Sequence, residues 1–255
     1  MYLVIPIITL LILAIFIFIR YVSITNKEHF ANNYLSRIHI IVMEKYPERV
    51  QNIKGLIKKH GLDDAHIFPA IDGVTVDKDL LLKQHILTPK IYEKLKPGAI
   101  GCAMSHITLW KRLVESGEPY IIVLEDDLTL EDNFNQEINL FLKHIPDDFD
   151  IAQIYLSKNK AITDNSQNQI VNQYVKTGYP QNGTVAYILS RKGAIKLLEY
   201  CVPIYHAVDI MIRQHIQNGK LIAYIPTHNI VSHEFKYISS ICKNSKVCGA
   251  FTQDI

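Results

Sequence analysis

Three acidic side chains, Glu125, Asp126 and Asp127, follow directly on the apolar run Tyr120 to Leu124. Carboxylates gathered at one point repel each other unless a cation sits between them, and oxygen donors of this kind suit Mg²⁺ or Mn²⁺. Such an ion would hold a nucleotide diphosphate and neutralise it as a leaving group. If the strand continues through the acids, its alternation sets Glu125 and Asp127 on one face and Asp126 on the other. The plain alternative is a solvated acidic turn. A second block, Gly98-Ala99-Ile100-Gly101-Cys102-Ala103-Met104-Ser105-His106, leads with small residues into an amphipathic helix. Glycine there lets backbone N–H groups approach a phosphate at the helix N-terminus, within reach of Ser105 and His106. Close packing of the helix start, with His106 as an ordinary core residue, is the competing reading. Asp209, at the start of a later helix, is a candidate base or acceptor-binding acid, although a carboxylate in a first turn also suits the helix dipole.

The elements that must position these residues alternate along the chain. Arg37 to Met43 has the pattern of a strand, Pro47 to His60 that of a helix stopped by Gly61, and His66 to Gly73 that of a strand ending in an Asp72-Gly73 turn. Residues 74 to 96 predict irregular chain. A helix from Gly98 breaks at Gly117-Glu118-Pro119, and Tyr120 to Leu124 then reads as a strand buried on both faces of a mostly parallel sheet. A helix over Asn133 to His144, a strand over 150–156 and a polar insertion to Asn168 follow. Strands over 169–176 and 184–189, helices over 191–201 and 207–217, and a final strand over 221–225 complete the body. This is an α/β protein with a mixed sheet and helices on both sides, whose ligands belong at the carboxyl ends of strands.

Composition bounds the partners. The 255 residues are 48% hydrophobic and 20% charged, with 27 basic against 25 acidic side chains, which excludes a disordered chain and a polytopic membrane protein. A net charge of +2 gives no basic footprint for nucleic acid. Met1 to Ile19 carries no charge and would span roughly 28 Å as a helix, close to a bilayer core. It lacks the basic start and small-residue exit of a cleaved signal. The expectation is a single-pass anchor over residues 1–22, a linker over 23–35, a catalytic body over 36–240 and a tail over 241–255. Arg20, Lys27 and Arg37 follow the span, so the positive-inside rule favours a cytoplasmic body. Cys242 and Cys248 are close enough for a small disulfide loop, without establishing one.

Taken in order, Ala70-Ile71-Asp72-Gly73, the Gly98 to His106 block with Trp110, Ile122 to Asp127, Gly183-Thr184-Val185-Ala186-Tyr187-Ile188-Leu189-Ser190 with Gly193-Ala194, and Asp209 resemble glycosyltransferase family 25. The resemblance covers about residues 36 to 235. It implies a GT-A-type fold, a UDP-sugar donor (UDP-galactose or UDP-glucose) and inversion at the anomeric carbon. It also implies an acceptor that is a glycan or a hydroxylysine. A Mn²⁺ or Mg²⁺ ion would sit on Glu125 and Asp127, closed by His233 as a late ligand. Donor binding falls to Asp72, Gly73, Gly101, Ser105 and His106, the acceptor side to Gly183, Thr184 and Tyr187, and catalysis to Asp209 with Glu125 and Asp126. The competing reading from another class is a membrane-tethered relative that keeps the fold without catalysis. The presence of Glu125, Asp126, Asp127 and Asp209 argues against it.

Overall fold

The structure, a computed structural model, describes residues 4–155, 168–178 and 183–233. Helix α1 (Val4–Ala31) and a 3₁₀ turn (Tyr34–Arg37) precede strand β1 (Ile38–Val42), α2 (Pro47–His60) and β2 (His66–Pro69). Short helices α3 (Lys78–Lys83) and α4 (Pro89–Tyr92) lead to the long α5 (Pro97–Ser116), then β3 (Tyr120–Glu125) and β4 (Leu128–Leu130). The rest comprises α6 (Phe134–His144), β5 (Ile151–Gln153), β6 (Val175–Thr177), β7 (Ala186–Ser190), α7 (Arg191–Cys201), α8 (Val208–Gln217), β8 (Ala223–Pro226) and β9 (Val231–His233).

Local chemistry sets most boundaries. Gly61 ends α2 at φ 61°, and the Ser190 side chain caps α7 by accepting the Gly193 N–H. The stretch expected to be irregular holds α3 instead, because Asp77 accepts the Leu80 N–H and starts a turn too short to show a hydrophobic period. The polar insertion at 156–167 and the cysteine pair Cys242 and Cys248 lie outside the described residues.

Seven strands form one sheet in the order β2-β1-β3-β7-β5-β8-β6, and β4 pairs with β9 in a separate ribbon. β1 is parallel to β2 and β3, β7 is antiparallel to β3 and β5, and β6 is antiparallel to β8, so all strands but β7 and β6 point one way. The sheet is therefore mixed and mostly parallel, as expected. β3 lies between β1 and β7 with Tyr120 to Leu124 all buried. Its alternation divides the core. Tyr120, Ile122 and Leu124 pack with α2 and α6, whereas Ile121 and Val123 pack with α5, α7 and α8. The carboxyl ends of β1, β2 and β3 thus open on one edge between α2 and α5, and that edge holds the acids.

The segment expected as a polar linker is helical through Ala31, and its end is built into the body. Ala31 is fully buried, the Phe30 ring lies 4.5 Å from that of Tyr120, and Lys27 donates to the Ile145 carbonyl at 2.6 Å while pairing with Asp147. The expected anchor over residues 1–22 lies partly outside the described residues, since α1 side chains are described from Leu11 onward. Among the described residues no helix is long and apolar enough to cross a membrane. Leu11, Ile12, Leu13, Ile15, Phe16, Ile17, Phe18 and Ile19 are nevertheless all more than half exposed.

One pair of histidines makes folding pH-dependent. His39 stacks on His66 of the parallel neighbour strand with ring centroids 5.1 Å apart. Burial, then the charges of His66 and Arg112, push His39 down from 6.5 to about 4. Between those values the unfolded chain binds a proton that the folded chain refuses, so stability present above pH 6.5 is lost as pH falls toward 4. Urea midpoints should fall over this range, and His39→Gln should flatten the fall. Equal slopes for the two proteins would remove His39 as the cause.

Candidate functional site

β3 ends at Glu125, and Asp126 and Asp127 form the turn into β4, so the strand does not continue through all three acids. Glu125 projects to the α5 face, where Oε1 accepts the Thr184 hydroxyl at 2.6 Å and lies 3.2 Å from Nε2 of His106. Nδ1 of His106 is 2.9 Å from the Tyr187 hydroxyl, which accepts the Trp110 indole N–H at 3.0 Å. His106 and Trp110 are one turn apart on the inward face of α5, and Tyr187 stands opposite Val123 in the β3–β7 ladder. All three are at most 1% exposed.

Asp126 turns to the opposite face. It is 5% exposed, with Arg49 Nη1 at 2.5 Å from Oδ1 and the Met43 N–H donating to Oδ2 at 2.8 Å. Burial raises its carboxyl above the usual range, while the Met43 N–H and Arg49 pull it back and the Asp127 charge pushes it up. Both oxygens are thus committed to β1's exit and to α2. An unpaired buried charge is expensive, so Arg49→Met should destabilise the fold by about 3–5 kcal/mol, and Asp126→Leu on top of it should recover part of that loss. Chemical denaturation of the two variants checks this. A single variant as stable as wild type would mean the pair is dispensable.

A cavity of about 90 Å³ lies between these faces, lined by Met43, Arg49, Ile71, Cys102, Ser105, His106 and the three acids. Cys102 Sγ, a nitrogen of His106 and a carboxylate oxygen of Glu125 lie within 4.8 Å of one another, a grouping that could hold a metal ion. The Cys102 thiol is pushed well above its ordinary value by burial first, then by Glu125 and Asp209, with a smaller push from Asp127. It remains a neutral thiol at neutral pH, ringed by these carboxylates.

The glycines at the α5 start act as spacers. A Cβ on Gly101 would stand 2.3 Å from the Ile71 carbonyl oxygen and 2.5 Å from the Gly73 nitrogen, so the loop after β2 lies backbone to backbone on the helix. Ser105 pins that contact, accepting the Ile71 N–H at 2.8 Å and donating to the Gly101 carbonyl at 2.8 Å. Asp72 pairs with Lys45 at 2.5 Å and holds its own turn through the Val74 N–H. Of the residues assigned to a donor, Ser105 and His106 line the cavity, and what Gly73 and Gly101 show is packing. Gly183, Thr184 and Tyr187 approach Glu125 and Asp209 from behind. Gly183, at φ 83°, donates its N–H to Asp209 Oδ2 at 3.1 Å, and Asp209 is half-buried in the first turn of α8. His233 pairs through its backbone with Leu128, one residue past Asp127. Its side chain lies outside the described residues.

Comparison with known proteins shows the family. Residues 35–212 match the profile of glycosyltransferase family 25 (LPS biosynthesis protein). The chain belongs to glycosyltransferase family 25. A glycosyltransferase 25 family member of Drosophila melanogaster is 27% identical over 211 residues, 78% of this chain and 34% of that protein. One of Aedes aegypti is 26% identical over 209 residues, again 78% and 34%. The mouse protein named inactive glycosyltransferase 25 family member 3 is 24% identical over 194 residues, 70% of this chain and 32% of its own. The chain therefore spans about a third of the length of these relatives. Mouse xyloside xylosyltransferase 1 superposes with a TM-score of 0.36 at 12% identity, covering 84% of this chain and 93% of that one, too low a likeness to carry an argument.

Within the family 25 domain, sequence reasoning singled out the acids, His106 and Thr184 but missed Arg49 and the contacts by which His106 and Thr184 hold Glu125. The available signal for Arg49 was a charged residue on the apolar face of α2, four residues before the buried Ile53. Nothing local links Glu125 to Thr184, 59 positions away, because β7 joins β3 antiparallel after three intervening strands.

Proposed function

We propose that this domain transfers a hexosyl group, galactose or glucose, from a UDP-sugar to a hydroxyl of a glycan or hydroxylysine-type acceptor with inversion, in a GT-A-type arrangement. The observation that carries this reading is the placement of Glu125 and Asp127 at the carboxyl end of β3, in one cavity with the loops after β1 and β2. A divalent cation fits the oxygen donors. Glu125 Oε2 makes no hydrogen bond among the described residues and Asp127 lines the same cavity, whereas a neutral thiol such as Cys102 is a poor ligand for Mn²⁺ or Mg²⁺. Glu125 and Asp127 would hold the ion, with His233 as the proposed third ligand. A cation there would offset the charge that develops on the departing diphosphate.

The chain's own residues do the remaining work. Asp209 takes the proton of the acceptor hydroxyl as its oxygen bonds to the anomeric carbon and the bond from that carbon to the diphosphate oxygen breaks. Arg49, at the cavity wall, adds positive potential for the diphosphate without leaving Asp126. Residues 1–22 anchor the chain to a membrane, with the body on the cytoplasmic side. This is supported by the charge-free run 1–19, by the exposed apolar side chains from Leu11 to Ile19 and by the basic residues that follow them.

Incubating the full chain with a panel of UDP-sugars and Mn²⁺, with and without glycan and hydroxylysine acceptors, tests the reading. Acceptor-dependent UDP release with an inverted anomeric product is expected. UDP-sugar binding without turnover under every condition would instead favour a non-catalytic family member, as the name of the mouse relative describes that protein.

A further inference from the structure

Three buried side chains behind Glu125 form a chain of hydrogen bonds whose proton positions are fixed by elimination. The Trp110 indole N–H can only donate, so the Tyr187 oxygen accepts it, at 3.0 Å. Tyr187 then has one proton of its own to place, in a site 1% exposed to solvent, and Nδ1 of His106 lies 2.9 Å away. If Nδ1 carried the ring proton, the Tyr187 proton would face it without an acceptor. The bare Nε2 would also point its lone pair at the carboxylate oxygen of Glu125, 3.2 Å off. If Nδ1 accepts, every donor is matched: indole N–H to phenol oxygen, phenol O–H to Nδ1, and Nε2–H to Glu125.

We propose that the Trp110–Tyr187–His106 chain is a positioning device. It locks His106 as an Nε2–H donor, so that His106 and Thr184 together pin Oε1 of Glu125 and leave Oε2 as the one oxygen offered to the ligand. His106 is then a positioning residue and not a metal ligand, even though it lies within the Cys102–His106–Glu125 grouping. Metal binding at Nε2 would have to expel the proton that the chain holds there. It would also strand the Tyr187 hydroxyl. Burial pushes the Tyr187 hydroxyl far above its ordinary range, which keeps its proton in place. The arrangement spans α5, β3 and β7, so a carboxylate at the end of a strand inherits the rigidity of three packed elements.

The inference rests on the transferase reading for its kinetic arm and stands without it for its spectroscopic arm. In ¹⁵N-histidine spectra of the full chain, with His106→Gln used to assign the resonance, the His106 ring should carry its proton on Nε2 and none on Nδ1. Tyr187→Phe removes the proton that Nδ1 accepts while Glu125 still takes Nε2–H, so it should shift the Nδ1 resonance toward that of an unbonded acceptor nitrogen and leave Nε2 protonated. An Nδ1–H ring in the wild-type chain would overturn the proposal whatever the chain catalyses.

Glutamine at 106 keeps a donor where Nε2 stands, and leucine keeps only the volume. His106→Gln should therefore stay within about tenfold of wild-type turnover, and His106→Leu should lose about 10²-fold in kcat with a smaller change in KM for the UDP-sugar, as a misplaced reacting group does. Two outcomes would overturn the assignment. If leucine works as well as histidine, the ring is core filling. If glutamine is as inactive as leucine while still folded, the ring is needed as a ligand or base. If the wild-type chain consumes no UDP-sugar at all, the functional reading fails, and the tautomer still decides this one.

Discussion

Asp127→Asn should abolish measurable sugar transfer while leaving the fold intact or slightly firmer. Asp127 lines the cavity and its charge raises both the Asp126 carboxyl and the Cys102 thiol, so without a cation it is one of several like charges held together at a cost. The amide keeps the shape and removes a ligand charge. If a bound cation supplies several kcal/mol of transition-state stabilisation, losing its hold costs about three powers of ten in turnover, at 1.36 kcal/mol per decade. The same change relieves repulsion in the metal-free protein, so its thermal midpoint should hold or rise, and the further rise that Mn²⁺ gives the wild type should vanish. Loss of activity by unfolding would lower the midpoint, so the two causes read oppositely. A variant that keeps full turnover in excess chelator would remove the cation from the proposed reaction.

How far such a site could be read in advance depended on whether its parts are local. The end of β3 was legible, because five consecutive buried apolar residues and the acids that follow occupy one stretch of chain, and Glu125 and Asp126 take the opposite faces that alternation predicts. α2, α5 and α7 were legible from spacing, and the first two also from their stop residues, Gly61 and Gly117. What stayed hidden is what meets only after folding. β4 and β9 are three residues each and pair across a hundred positions, with no periodicity to announce them. The glycines of the α5 start looked equally suited to a phosphate or to close packing. Gly73 decides the observed contact, and it comes from a different loop. The polar stretch before β1 looked like a linker because its helix is stabilised by packing of Phe30 and Ala31 on the body, which propensity does not show.

Asp209 separates the base from the cation's ligands, and it permits the second large effect. Its Oδ2 accepts the Gly183 N–H at 3.1 Å, so the carboxylate has a structural duty that an amide oxygen performs equally well. Asp209→Asn should therefore keep stability within a few tenths of a kcal/mol, since Asn is a comparable residue at a helix start. It should also keep Mn²⁺-dependent UDP binding. It cannot take up the acceptor's proton at neutral pH, and general-base contributions are typically about 10² to 10⁴ in rate, so transfer should fall by that factor. Hydrolysis of the UDP-sugar by water needs a base as well and should fall with it. A merely structural Asp209 predicts the opposite pattern, unchanged turnover with the Gly183 turn still held. Near-normal transfer by the folded variant would move the base to another carboxylate of the cluster. Asp126 is tied on both oxygens to Arg49 and Met43, so Glu125 would then have to serve as the base through Oε2 and leave the cation to Asp127.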